Sequence, residues 1–522
     1  MHWSKQITRA TLHVLDRFAA AVESHKILAV LCYGVLFLLI CSVVAATKPM
    51  WFDELATYYP ARLPTVGALL DFFWRGLDVH TATTSLVLRV TMRAFGDGPV
   101  TDRMPFAMGY LVLCMSIFIF VVRRCPAIYA AAAMILPMLT ASFYFATEIR
   151  CYGLLLGFTG IALVSWQAAA EGSKRKLAVA TLFLSLAGTI CCHYYALFLW
   201  VPLGLAELTR WWLRKRLDWP VCLALVLSAL VILLFIAPIQ AARGAYVSGI
   251  WSRAHLGQIR SSYNVVLGLS SGVVMGGLIA GLLLWPGLRP RLAGVAGRIP
   301  PHEWVLVASL ALLPVYEVPA SKLVGVFVER YALACVAGIT ILLVFAVCRA
   351  VDGNRAAGAL LVIFLVGWVF ERNGLAVRSQ MLQNGGFSSS RGEYFRTSDW
   401  ARIMESSSLP IAAAGPVFFT QFQHYAAAAV QPRITYLASE SLALHYLGNS
   451  STDTNLLRFS SVLPLRVSTF EEFTSHFNHF LLCVETKDRT GWTVQALLAE
   501  GAELHLLADD ADTHLVFDVK TR

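Results

Sequence analysis

Residues 27–46 read ILAVLCYGVLFLLICSVVAA, and just beyond them residues 48–60 read KPMWFDELATYYP. The first stretch is an unbroken apolar run of the length needed to cross a bilayer, about 20 residues as a helix. The second sets two adjacent carboxylates, Asp53 and Glu54, beside Trp51, Phe52, Tyr58 and Tyr59 at the mouth of that helix. Carboxylates are costly to desolvate beside a membrane, so such a pair belongs either to a water-facing site or to a paired structural position. Which other polar groups fall on the same side of the membrane bears on the choice.

The 522 residues are 57% hydrophobic and 14% charged, with a mean hydropathy of +0.64. Soluble domains carry about 25% charged residues, whereas here apolar residues come in runs of bilayer length. A polytopic α-helical membrane protein follows. The formal net charge of +10 sits mostly in short segments between the runs, which membrane topology explains more simply than a nucleic-acid footprint. No nucleic-acid partner is expected. The 11 cysteines have no metal-ligand or disulfide spacing: Cys191 and Cys192 are adjacent, Cys483 stands alone in the tail, and most others fall in apolar runs where a thiol is a small core hydrophobe. The first apolar run follows an amphipathic stretch with Lys5, Arg9, Arg17 and Lys26. It reads as a retained first span with a cytoplasmic basic flank, not as a cleaved signal.

Eleven crossings are expected. They fall at 27–46, 104–122 and 127–145, then in a fourth run ending near Ala170, then at 177–191, 195–209, 219–238, 263–286 and 303–317, and finally in runs ending near Val347 and Glu371. His302, Glu303 and Glu317 delimit the ninth. Basic turns recur at alternate connections: Arg123 and Arg124, EGSKRK (171–176), RWWLRKR (210–216), RPRLAGVAGR (289–298), and Arg349 with Arg355. By the positive-inside rule these face the cytoplasm of a cell whose inner membrane holds the protein, and the C-terminus lies outside. The loop 48–103, ATEIRCY (146–152), HYY (193–195) and the loop 240–262 then share the outer side. Within the first loop, 65–74 and 83–95 have the apolar spacing of short amphipathic surface helices, with Asp78 and His80 in the turn between them. The short fifth and sixth spans fit broken helices around a polar cavity. Residues 372–522 form a small extracytoplasmic α/β domain beyond the membrane core 1–371. GFSSSR (386–391) leads into it, its strands are GPVFFT (415–420), RITYLA (433–438) and THLVFDV (513–519), and TVQALLAEGAELHLLAD (493–509) supplies a helix, a glycine turn and a strand.

Asp53 is the sharpest catalytic candidate. A carboxylate beside an acceptor hydroxyl orients it and takes its proton, while aromatic neighbours shape an apolar pocket; a solvated acidic turn has the same sequence. Glu54 shares a proton, binds a cation or anchors Asp53. On a helix the two side chains point about 100° apart, so adjacency defines no dyad. Glu148 and Arg150 suit a polar substrate and its phosphate, or equally a salt bridge at a helix end. His193, Tyr194 and Tyr195 offer an imidazole and two phenols to a sugar phosphate, or serve as interface anchors. Arg243, Arg253, Lys322 and Arg330 are cations for a departing lipid phosphate, each also explicable as a headgroup anchor. No metal cluster accompanies them.

WFDELATYY (51–59), ATEIRCYGLLL (146–156), HYYALF (193–198) and ERYAL (329–333) together resemble lipid-linked-sugar glycosyltransferases of the GT-C superfamily, particularly bacterial relatives of the dolichyl-phosphate-mannose protein mannosyltransferases. The resemblance covers roughly residues 1–370. It implies a polyprenyl-phosphate-linked sugar as donor, used at the outer membrane face and transferred to a lipid, glycan or protein acceptor. It makes Asp53 the catalytic carboxylate, places Glu148 where related patterns often carry another acidic residue or an arginine-rich turn, and gives Arg330 the donor phosphate. No cofactor beyond that donor is implied, and the sequence leaves a divalent-cation requirement open. The alternative from another class is a transporter or flippase for an amphipathic or lipid-linked solute.

Overall fold

The computed structural model describes residues 2–246, 252–268, 299–323, 325–383, 394–486, 491–510 and 514–521. The chain divides into two compact units. The first comprises Met1–Val43, Arg103–Leu233 and Ser252–Val377, and the second Val44–Asp102, Leu234–Trp251 and Arg378–Arg522.

Among the described residues, seven helices are long and apolar enough to cross a membrane: Lys26–Thr47, Pro99–Val122, Tyr152–Glu171, Arg175–Cys192, Trp219–Gly244, Glu329–Ala350 and Arg355–Leu375. Two further pairs meet the requirement only as bent spans, Ala127–Leu139 with Ala141–Thr147, bent by 77°, and Pro301–Ala311 with Leu313–Ser321, bent by 51°. Pro137 and Pro314 stand close to these bends, where a missing backbone N–H removes a helix bond. The described residues thus hold seven to nine candidate spans, against eleven expected along the whole chain. The expected sixth, 195–209, starts as a 3-10 turn, Tyr194–Leu199, and continues in the helix Trp200–Arg214. Of the eighth, 263–286, only the part reaching 268 is described, within and just after the helix Gln258–Leu267. The basic turn 289–298 and GFSSSR at 386–391 lie outside the described residues.

Small residues let backbones meet inside the first unit. A Cβ added at Gly109 or Gly153 would collide with the carbonyl of Gly153 or Phe106, and one at Gly157 would come within 2.6 Å of the Gly109 oxygen. Gly153 and Gly157 thus form a small-xxx-small seam against the helix Pro99–Val122, the packing available where lipid gives no hydrophobic drive between helices. Several basic residues at the ends of the spans are held in ion pairs. Arg124 Nε donates to both oxygens of Glu303 at 2.8 and 3.1 Å, and Gln167 Nε2 reaches the same carboxylate at 3.2 Å. Asp218 joins Arg175 to Arg210, and Glu207 accepts from Trp166 Nε1 at 2.6 Å. Glu303 is accordingly fully buried and does not delimit a span at the water boundary as its sequence position suggests. Glu317 is also fully buried, and neither carboxyl oxygen finds a hydrogen-bond partner among the described residues.

The second unit is built on a six-stranded sheet: β1 (Ile411–Ala413), β2 (Ile434–Ala438), β3 (Val467–Thr469), β4 (His479–Glu485), β5 (Glu503–Asp510) and β6 (His514–Lys520). Their order is β3-β2-β1-β4-β6-β5. The pairs β1–β2, β1–β4 and β2–β3 are parallel, with Ile411 beside both Ile434 and Leu481, while β6 runs antiparallel to β4 and β5. RITYLA is a strand from Ile434 and THLVFDV a strand over its described residues from His514, and the helix Thr493–Ala499, the turn at Gly501 (φ +79°) and β5 follow the expected rhythm. GPVFFT is not a strand. It opens the helix Pro416–Tyr425, with Gly415 as N-cap and Pro416 at the first helical position, where its fixed φ and absent N–H are favourable.

Residues of the first loop belong to this same unit. Leu69, Phe72 and Phe73 share a core with Trp400, Phe418, Phe422 and Phe459. Gln421 Nε2 donates to the Met50 carbonyl at 2.9 Å, and the Met50 N–H donates to the Tyr425 hydroxyl at 2.8 Å. The short helices Val66–Trp74, capped by Thr65, and Thr83–Phe95 form where the apolar spacing placed them. Between them Asp78 Oδ1 accepts from the His80 N–H at 3.0 Å and lies 2.7 Å from its Nδ1, so the turn is closed by side chain and backbone together.

Candidate functional site

WFDELATYYP folds as the helix Phe52–Ala61, which puts Asp53 and Glu54 in its first turn. Acidic residues there oppose the positive end of the helix dipole. Their environments differ. Glu54 is fully buried, and its Oε2 accepts the Trp51 N–H at 3.4 Å, a long capping bond; Asp53 is half-buried. Arg89 secures the other end, donating to the carbonyls of Ala61 and Pro64, each at 2.9 Å, in the way basic groups satisfy the last carbonyls of a helix.

A polar aromatic cluster lies on the same helix. The Tyr58 hydroxyl donates to Asp97 Oδ2 at 2.9 Å and accepts from Arg62 Nη1 at 2.6 Å, while Arg62 also pairs with Asp97. The Tyr59 hydroxyl and His424 Nδ1 are 3.1 Å apart, and the His424 ring sits edge-on to Tyr58, Tyr59 and Tyr425 at centroid distances of 5.4, 5.8 and 4.6 Å. Burial pushes His424 down to about 4 and Tyr59 up to about 12, so both are neutral at pH 7. His424 is separated from this helix by more than 360 residues of sequence, and no local pattern marks it. Arg243 is exposed on the helix Ile236–Tyr246 of the same unit.

The first unit gathers three of the other sequence-marked motifs. His193 caps the 3-10 turn Tyr194–Leu199, its Nδ1 accepting the Tyr195 N–H at 3.2 Å. Its ring lies 4.4 Å from Tyr331, 5.7 Å from Tyr195 and 6.1 Å from Tyr152, and Tyr195 and Tyr331 are 4.7 Å apart. Arg330 Nε donates to the Tyr152 hydroxyl at 2.9 Å. ATEIRCY, HYYALF and ERYAL thus meet around a guanidinium and an aromatic wall. Glu148 ends the 3-10 segment Ala141–Thr147 and is fully buried; its carbonyl accepts the Arg150 N–H at 2.8 Å, and Arg150 is itself buried. Tyr194 is half-buried, Lys322 is exposed at the end of the helix Leu313–Ser321, and exposed Arg253 pairs by backbone with Val326. The segment that presents Arg330 is braced from the helix Gln258–Leu267: Gln258 Nε2 donates to the Phe327 carbonyl at 3.0 Å and Ser261 Oγ to Glu329 at 2.8 Å. Tyr152 and Tyr331 were not singled out from sequence, though Tyr152 lies two residues after Arg150 and Tyr331 is the second half of the RY pair. Among the described residues no three His, Cys, Asp or Glu side chains form a group able to hold a metal ion.

No protein-family model matches this chain, and no curated protein sequence matches it. Solved structures do. ArnT from Cupriavidus metallidurans in the apo state superposes with a TM-score of 0.57 over 93% of this chain and 97% of that one, at 12% identity. The same protein bound to undecaprenyl phosphate superposes with a TM-score of 0.51 over 94% of this chain and 97% of that one, also at 12% identity. A likeness at this identity is one of fold: the chain is a polytopic α-helical membrane protein with a GT-C-like fold and a small C-terminal domain containing β-structure. The likeness is to the fold alone and does not single out the protein mannosyltransferases.

Proposed function

We propose that this protein is an inner-membrane glycosyltransferase that moves a sugar from a polyprenyl-phosphate carrier to an acceptor at the extracytoplasmic face. The observation that carries this reading is the fold shared, over 94% of the chain, with a protein that binds undecaprenyl phosphate, a long isoprenoid lipid ending in a single phosphate. The arrangement around Arg330 supports it, because a guanidinium held by Tyr152 beside an aromatic wall suits a lipid phosphate and the sugar attached to it. The loop 48–103 and the domain 372–522 are assigned to the extracytoplasmic side, and the N-terminus to the cytoplasm.

In this scheme Asp53 orients the acceptor nucleophile and takes its proton as the new glycosidic bond forms at the anomeric carbon. The bond to phosphate breaks in the same step, and the lipid phosphate leaves with its electron pair. Arg330 and Arg150 neutralise that phosphate, with Lys322 and Arg243 as further cations for the headgroup. His193, Tyr194 and Tyr195 contact the sugar. Single displacement inverts the anomeric configuration. Glu54 acts through its helix as a cap, and Glu148 is kept as a second carboxylate for polar contacts with substrate.

The test is incubation of the purified protein with a panel of undecaprenyl-phosphate-linked sugars and crude membrane acceptors, followed by mass analysis of products. Transfer is expected from at least one donor. Asp53→Asn should lower turnover at least about 100-fold, the scale of general-base contributions, with unchanged elution and melting. Normal transfer by Asp53→Asn would remove its assigned role. The two bent spans motivate a second reading, a transporter, since broken helices line many transport sites. Movement of a lipid-linked solute across reconstituted vesicles with no covalent product would favour it.

A further inference from the structure

A groove of about 590 Å³ runs between the helices Arg175–Cys192 and Trp219–Ala229 of the first unit. Its volume falls within the roughly 300–1,000 Å³ typical of small-ligand sites, yet its walls are almost wholly apolar. Phe183 lines it from one helix and Leu223 and Leu227 from the other, while Arg175 and Lys176 stand at one end. The residues from Arg175 to Phe183 extend about 12 Å along the helix at 1.5 Å per residue. Leu223 and Leu227 are 57% and 45% exposed, on a helix apolar and long enough to sit in a bilayer. The basic end is built rather than incidental. Arg175 pairs with Asp218 and donates to the Ala169 carbonyl at 3.0 Å, and Asp218 is shared with Arg210. Lys176 is exposed beside them and enters no ion pair among the described residues. A groove that is greasy along its length and cationic at one end has the polarity of a single lipid with a negative headgroup.

We propose that this groove binds an anionic glycerophospholipid of the phosphatidylglycerol class. One acyl chain lies along Phe183, Leu223 and Leu227, and the phosphate sits at Lys176 and the outer face of Arg175. Basic pockets between membrane helices are the physical type of site that holds anionic headgroups. The groove lies outside the residues proposed for catalysis and stands whether or not the protein transfers sugars. An isoprenoid phosphate carries the same charge on a different tail, so the experiment must separate the two.

Native mass spectrometry of the detergent-purified, delipidated full-length protein, titrated with phosphatidylglycerol, phosphatidylcholine or undecaprenyl phosphate, does so. One phosphatidylglycerol should bind in clear preference to phosphatidylcholine. Lys176→Gln should weaken phosphatidylglycerol about fivefold, the effect of one basic residue near an anionic headgroup, and leave phosphatidylcholine unchanged. Ala180→Trp, which fills the groove from an exposed lining position, should abolish the preferential binding. Circular dichroism and melting of both variants establish that they are folded. Equal binding of the two phospholipids, indifference of folded variants to either change, or displacement of phosphatidylglycerol by an equal concentration of undecaprenyl phosphate would each overturn the assignment.

Discussion

Asp53 and Glu54 are neighbours that the helix sends in different directions, one half-exposed and one fully enclosed. They should therefore fail differently. Glu54→Gln removes charge from a helix N-terminus and weakens its bond to the Trp51 N–H, at a cost of about 1 kcal/mol. A lower melting temperature with kcat close to that of the parent is the expected result, the reverse of Asp53→Asn. Arg330 offers a second contrast. Lysine keeps the charge but loses the planar fork that serves Tyr152 and a phosphate together. Arg330→Lys should raise KM for the lipid-linked donor about tenfold or more, measured at saturating acceptor. The sequence made Asp53 and Arg330 visible because each lies in a short motif. It gave no sign of the polar anchoring of Tyr58 and Tyr59, because Asp97 and His424 reach that helix only through the fold.

Burial of His424 between tyrosines makes the second unit acid-sensitive. Its folded pKa of about 4 lies below the unfolded value of about 6.5. Its stabilising effect is complete above pH 6.5 and is lost as pH falls from 6.5 towards 4, because the unfolded chain takes up a proton that the folded one refuses. The span corresponds to about 3 kcal/mol at 1.36 kcal/mol per unit. His514, also pushed down to about 4 by burial, acts in the same direction. Melting temperature recorded from pH 7.5 to 4.5 should fall, and His424→Gln should flatten part of the slope while lowering the plateau at neutral pH. The strand and helix assignments in this unit show where local reading stops. RITYLA and GPVFFT are both short apolar runs, and such runs do not by themselves distinguish a buried strand from a helix. Gly415 and Pro416 decided the second, since a proline after a glycine suits the first helical position better than a place inside a sheet. The ionic stitching of Arg124, Glu303 and Gln167 was equally hidden, because its members are distant in sequence and Arg124 and Glu303 each look like a span boundary on their own.

For the molecule as a whole, the assigned orientation has a direct consequence. Glu500 is exposed after the helix Thr493–Ala499, and Ser173 is exposed in the turn between two spans. In spheroplasts, Glu500→Cys should react with a membrane-impermeant maleimide at once, and Ser173→Cys only after permeabilisation. The opposite pattern would put the proposed chemistry on the wrong face. Composition, the length of the apolar runs and the alternation of basic turns were enough to specify a multi-pass helical protein with a distinct C-terminal domain, because bilayer thickness and charge bias act on each segment separately. The placement of the first loop in one compact unit with residues 378–522, the breaking of two spans, and the meeting of Tyr152, His193, Tyr195, Arg330 and Tyr331 were decided only in the folded chain. Each depends on side chains far apart in sequence satisfying one another in a dry interior, and no periodicity in the chain records which partner will be found.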